Sequence, residues 1–266
     1  MNLARTYSQV EPAIKDNRPQ SIEHFFSIKT LIVLGQPGIG KTTELKKAQN
    51  LEANSEFIRV GEFLASDDVS HLEGKVLYLD GLDEQRSKFK GQGVIDALNG
   101  KLKNAKPSKV RLSCRTAEWH GKSDIRSISE SLKESDIVQI ELQPLDETSI
   151  TKLIDLPNRE EFLTKAKDND LGEFLKTPGS LNLLVAFYKS LGKWPSNRSE
   201  LMEGACRALL EEPNTEHSDM TDDDINDVDL QNASEYLAAI MMLSGVEGIA
   251  TKRKSESHLF PTIHKF

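Results

Sequence analysis

Gly35 to Thr42 read GQPGIGKT, a turn-forming glycine pattern that ends in a lysine and a hydroxyl, with a second threonine, Thr43, after it. This spacing suits the holding of a phosphate chain. Gly38 and Gly40 let the backbone turn so that successive N–H groups aim at phosphate oxygens, and a helix opening at Lys41 adds its positive end. Lys41 is expected to neutralise the β and γ phosphates, and Thr42 to offer its hydroxyl to Mg²⁺. Thr43 would meet the α phosphate or cap the helix, while Gln36, Pro37 and Ile39 complete the loop.

A phosphate-bound Mg²⁺ needs a carboxylate from the end of another apolar strand. Val76 to Glu84, VLYLDGLDE, supplies one. Asp80 is the expected metal partner, acting through water, and Gly81 lets the strand end close to the nucleotide. Asp83 and Glu84 follow on what reads as an exit loop, and one of them, by preference Glu84, would orient or deprotonate the attacking water. Three neighbouring carboxylates ask for a cation, which Mg²⁺ provides. Further on, Lys109 to Arg115 (KVRLSCR) ends in Arg115, whose fork matches a pair of phosphate oxygens and makes it the candidate γ-phosphate sensor. Cys114 and Trp119 read as packing residues.

These groups must be placed by a sheet. Thr30 to Leu34 (TLIVL) is a continuous apolar run, as a strand buried on both faces should be. Phe57–Val60, Val76–Leu79, Val110–Ser113 and Ile137–Leu142 are further strand candidates. Helical stretches alternate with them at Lys41–Gln49, Glu62–Ala65 and Gly93–Lys103. A strand at Phe57 inserted at the sheet edge leaves room for the Arg115 strand between the phosphate-loop strand and the Asp80 strand. The expected fold is α/β, and the resemblance of the glycine loop and the Asp80 strand to those of P-loop NTPases implies a three-layer core with a five-stranded parallel sheet in the order 5-1-4-3-2. After Pro144 the pattern becomes helical, with Gly179–Leu191, Leu201–Leu210 and Leu230–Leu243 as amphipathic or apolar helices. The domains read as 1–145, nucleotide-binding, and 146–266, helical.

Composition bounds the rest. The chain has 266 residues, 37% of them hydrophobic, and a net charge of -8. Glu211 to Asp229 holds nine acidic residues and no Lys or Arg, so the remainder nets +1. That neither supports nor forbids a polyanionic partner. The acidic stretch reads as a solvated loop and helix lead-in. Two cysteines, Cys114 and Cys206, lack metal-ligand spacing. With no apolar run near the ~20 residues that span a bilayer and no signal pattern at Met1–Val10, the expectation is a cytoplasmic protein without a membrane partner. The moderately apolar end, His258–Phe266, reads as part of a longer polypeptide.

In this order, GQPGIGKT, LYLDGLDE and LSCR resemble the NACHT group within the STAND class of P-loop NTPases. That group has a small residue after the metal-binding aspartate and two further acids, here Asp80, Gly81, Asp83 and Glu84. The resemblance continues through Glu141–Leu145 (ELQPL) and Lys176–Leu184 (KTPGSLNLL), the latter similar to a segment whose proline touches adenine, which implies Pro178. It covers Phe26 to Leu191, and Ala233–Leu243 is suggestive of the family's next helix. His258 and His264 are the late histidines available for a β-phosphate contact. The resemblance implies an ATPase switch, held off by ADP and released by ATP and Mg²⁺ to self-associate, in bacterial antiviral defence or regulation. A sensor or effector partner and an arginine finger from a neighbouring subunit belong to that picture. Two alternatives share the core: an AAA-like ATPase acting on nucleic acid, and a nucleotide-locked assembly scaffold with negligible turnover.

Overall fold

The computed structural model describes residues 5–11, 18–88, 93–129, 136–192, 194, 200, 204 and 227–244. The expected helix at Leu201–Leu210, most of the acidic run, Cys206 and the histidines at 258 and 264 lie outside the described residues. So does the apolar end at His258–Phe266.

Six strands form one sheet: β1 (Tyr7–Glu11), β2 (Thr30–Gly35), β3 (Ser55–Arg59), β4 (Val76–Asp80), β5 (Lys109–Arg115) and β6 (Ile137–Leu142). Their order is β1-β6-β2-β5-β4-β3. The expectation of a five-stranded, all-parallel sheet is corrected, because the sheet is mixed and has a sixth strand. β2 to β6 are parallel and follow the expected succession, while β1 pairs antiparallel with β6, Tyr7 opposite Leu142. β1 escapes periodicity because only Tyr7 among its five residues is buried. An edge strand with one face in water shows little of the apolar run that marks β2, whose six residues are all buried.

Between the strands run α1 (Lys41–Leu51), α2 (Val60–Ala65), α3 (Leu82–Lys88), α4 (Gly93–Ala105) and α5 (Lys122–Ile128). Alternation along β2 distributes its side chains to two helical layers. Leu31 and Val33 join Leu45 and Ala48 of α1 in one core. Ile32 and Leu34 join Val60 and Phe63 of α2 and Ile95 and Leu98 of α4 in the other. Burial from both sides holds the C-terminal ends of β2, β4 and β5 in line, which is where an α/β sheet binds ligands.

After β6 come α6 (Glu147–Leu153), α7 (Arg159–Asp168), α8 (Pro178–Leu191) and α9 (Asp227–Ser244), with no strand among the described residues. The side chain of Asp146 caps α6 by accepting from Ser149 N at 2.7 Å. The chain divides into two compact units, 1–182 and 183–266, where the sequence suggested a boundary at 145/146. The first unit holds the sheet together with α6, α7 and the opening of α8. The second holds the rest of α8 and α9. No helix among the described residues is long and apolar enough to cross a membrane.

Candidate functional site

β2 delivers the chain to Gly35, and α1 takes it up again at Lys41, so the loop between them has both ends fixed in the core. Gly38 and Gly40 have φ of 71° and 99°, the left-handed region that costs residues with a Cβ. Gly40 is also the N-cap of α1. Lys41 Nζ donates to Gly35 O at 2.7 Å and to Gln36 O at 3.1 Å, wrapping over the loop it follows. Burial pushes the Lys41 ammonium below the usual lysine range, against the opposing pull of Asp83.

Opposite the loop, the end of β4 meets the end of β5. Thr42 Oγ1 donates to Asp80 Oδ2 at 2.7 Å. Ser113 Oγ donates to Asp80 Oδ1 and accepts from Gly81 N at 2.9 Å. Both oxygens of Asp80 are thus held from the side, and Gly81, with φ of 82°, turns the chain away from them.

Asp83 and Glu84 do not lie on an exit loop, as the sequence suggested, but in the first turn of α3. Carboxylates are favoured at that end by the helix dipole. Nor do the three acids form one cluster awaiting a cation. Asp83 is buried and closes on Arg115, with Nε to Oδ2 at 2.8 Å and Arg115 N to Oδ1 at 3.2 Å. Glu84 is exposed, with its carboxylate close to Gly81.

These groups line a cavity of about 380 Å³. It brings together Gly38, Gly40, Lys41, Thr42 and Thr43 from the loop side, and Asp80, Asp83, Glu84 and Arg115 from the other. Pro37 and Pro178 also line it. Gln36 and Ile39 do not: Gln36 is exposed, and Ile39 is a core residue packed with Leu31 and Val33. Cys114 is buried, and burial pushes its thiol up to about 12, so it is an inert packing residue. Trp119 is likewise buried and donates its ring N–H to Gln139.

Four residues at this end escaped the sequence reading. Ser113 stood inside LSCR, and a hydroxyl within the apolar middle of a strand, near its end, was the signal that could have drawn notice. Asn182 and Gly179 line the cavity from α8. Gly179 N donates to Gly38 O at 3.0 Å, and a Cβ on Gly179 would meet Gly38 Cα at 3.1 Å, so any larger residue would press this backbone contact apart by a few tenths of an ångström. Arg5, buried at 7% exposure, reaches Ile39 O from before β1 with nothing in the sequence around it to mark it.

The donor set fits Mg²⁺ with a nucleotide. A hydroxyl and a carboxylate 2.7 Å apart are hard oxygen donors, and Mg²⁺ completes its shell with waters and phosphates rather than a protein cage. Among the described residues no group of three or more His, Cys, Asp or Glu side chains is arranged to hold a metal alone.

No family profile matches the chain, and no curated protein matches it by sequence. Solved structures do resemble it. Replication initiator DnaA bound to AMPPCP and single-stranded DNA is 18% identical, over 85% of this chain and 76% of that one, with a TM-score of 0.47. Domain III of the Thermotoga maritima replication initiation protein DnaA is 16% identical, over 68% and 85%, at 0.41. A Walker-type ATPase of Pyrococcus abyssi is 12% identical, over 84% and 77%, at 0.42. The strand order and the glycine loop between β2 and α1 make this a P-loop NTPase fold.

Proposed function

We propose that the chain binds ATP with Mg²⁺ at this cavity, hydrolyses it slowly and uses the exchange as a conformational switch of the NACHT/STAND kind. The observation that carries the reading is the 2.7 Å contact between Thr42 and Asp80, placed across from a glycine loop whose lysine opens a helix. When bound there, Mg²⁺ supplies charge neutralisation to the phosphates and fixes their orientation.

The chain's own residues do the rest. Amides of the loop from Gly38 to Thr43 cradle the phosphates. Lys41 leaves the carbonyls of Gly35 and Gln36 for the more strongly charged β and γ oxygens. Glu84, exposed on the cavity wall, orients the attacking water and accepts its proton. Asp83 is less suited to that task because Arg115 already engages it. Pro178, on the cavity wall beside Gly40, packs on the adenine.

The switch follows from Arg115. It is paired with Asp83 while 47% exposed, so a γ phosphate entering the cavity competes with Asp83 for the same guanidinium. ADP leaves the pair intact, whereas ATP opens it and frees the start of α3. Self-association through this module, with a sensor or effector as partner, is the output that the NACHT/STAND resemblance implies.

Single-turnover ATP hydrolysis with Mg²⁺ tests the reading. Glu84→Gln should retain ATP binding and slow hydrolysis by about 100-fold, within the span of general-base contributions. Turnover equal to wild type would move the base to Asp83. Tight nucleotide binding without any wild-type hydrolysis would make the chain a nucleotide-locked scaffold. Stimulation by single-stranded DNA, the ligand present with the AMPPCP-bound DnaA, would move it to an AAA-like ATPase acting on nucleic acid.

A further inference from the structure

A buried arginine needs fixed acceptors, because it cannot shed its proton to escape the cost of desolvation. Arg5 divides its guanidinium between two carbonyls of different elements. Nη1 donates to Ile39 O at 3.0 Å and Nη2 to Gln143 O at 2.8 Å. Gln143 N donates in turn to Thr6 O at 2.9 Å, so the β1–β6 ladder is carried up to the arginine and anchors it. Nη1 would lie 3.4 Å from a Cβ built on Gly40, directly behind the loop.

The Ile39 carbonyl is half of the Ile39–Gly40 peptide, and in a trans peptide the N–H points opposite to the C=O. Drawing the oxygen towards Arg5 turns the Gly40 N–H the other way, and Gly40 lines the cavity. Gly40, at φ of 99°, offers little steric resistance to rotation of that peptide, since glycine populates both signs of φ readily. Left untethered, the peptide could turn its carbonyl oxygen into the cavity, where it would repel a phosphate instead of binding it.

We propose that Arg5 is a positioning residue of the phosphate site, holding the Ile39–Gly40 peptide so that an amide hydrogen rather than an oxygen meets a bound phosphate. This rests on the nucleotide reading of the loop. It also gives β1 a purpose beyond closing the sheet edge: the strand carries the N-terminal segment back to the loop. The role is indirect, because Arg5 itself does not line the cavity.

Equilibrium titration of ADP and of adenosine, which has no phosphate, into wild type, Arg5→Gln, Arg5→Lys and Lys41→Ala separates the outcomes. Arg5→Gln should bind ADP about tenfold more weakly, the scale of one charge-assisted hydrogen bond, and adenosine unchanged. Arg5→Lys, which keeps the charge and can reach one carbonyl, should fall between wild type and Arg5→Gln. Unchanged ADP binding in Arg5→Gln would overturn the proposal, and so would an equal loss for ADP and adenosine, which marks a general structural role. If Arg5→Gln does not fold, Arg5→Lys gives the same ratio test. Full ADP affinity in Lys41→Ala would instead remove the nucleotide reading of the loop, whatever Arg5 does.

Discussion

At the entry end of the parallel strands, charge is closed off. Glu52, beyond the end of α1, accepts from Lys109 at 2.7 Å, from Arg111 at 3.2 Å and from Tyr78 OH at 2.8 Å. Arg111 is fully buried and also donates to Phe26 O at 3.0 Å and Ile28 O at 2.7 Å. At the exit end, Asp80 is gripped from one side by Thr42 and Ser113, Asp83 by Arg115, and the other side faces a cavity. The same strands serve both ends. A charge ringed by fixed partners contributes to holding one fold, and breaking the ring is costly. A charge held on one side only keeps capacity for a ligand. The placement follows from the parallel sheet, whose strand ends diverge around a crevice at the carboxyl side.

Three substitutions can break or sharpen this contrast. The largest effect is expected from Glu52→Gln, which leaves Arg111 buried beside a neutral partner. A loss of about 3 kcal/mol in folding stability, at the low end for a broken buried pair, should show in denaturant titration, with the affinity for ADP unchanged in the folded protein. Burial alone would raise the Glu52 pKa, but the hydrogen bonds from Lys109 and Tyr78 and the charge of Arg111 outweigh it and lower it. Its contribution is therefore complete above the unfolded carboxyl value of about 4.3 and is lost as pH falls through the lower folded value. The gap between wild type and variant should be full at neutral pH and close in acid. A gap that persisted in strong acid would mean that the carboxylate is not the source.

Lys41→Ala probes the exit end. It should weaken ADP binding by about 100-fold, the scale of truncating one partner of a buried charged contact, while leaving the denaturation midpoint of the nucleotide-free protein little changed. A large fall in stability without nucleotide would erase the distinction between the two ends. The smallest of the three effects is expected from Ser113→Ala. Removing the hydroxyl that steadies Asp80 and Gly81 should lower the Mg²⁺-dependent part of nucleotide affinity about tenfold, as loss of a supporting hydrogen bond to a metal ligand does. Binding measured without Mg²⁺ should not move. An equal loss in both conditions would show that Ser113 shapes the cavity rather than Asp80.

Much of the exit end was legible beforehand because its signals are local. The glycines at 38 and 40 announce a turn, TLIVL announces a strand buried on both faces, and the aspartate after VLYL marks where an apolar strand stops. The edge position of β3 was a supposition rather than a local signal; the sheet puts it there, with β5 between β2 and β4. Other features were not legible. Asp83 and Glu84 sit next to each other in the sequence with the same chemistry, yet only Asp83 is closed by Arg115, because adjacent positions in the first turn of α3 point in different directions. Ser113 looks like any strand serine until β4 lies alongside β5. The entry-end cluster gathers Glu52, Tyr78 and Lys109, members far apart in the sequence with no motif to link them.

By itself the sequence determined the phosphate-loop pattern, the alternation that builds a parallel sheet and the carboxylates available at a strand end, since each depends on residues within a few positions of one another. Only the tertiary structure decided which of the two neighbouring carboxylates an arginine engages, and that Arg5, ahead of β1, reaches the Ile39 carbonyl of the loop. Those outcomes rest on contacts such as Asp83 to Arg115, 32 residues apart, and Arg5 to Gln143, 138 apart. Such partners meet only when the packed sheet fixes both backbones, and no local propensity encodes the meeting.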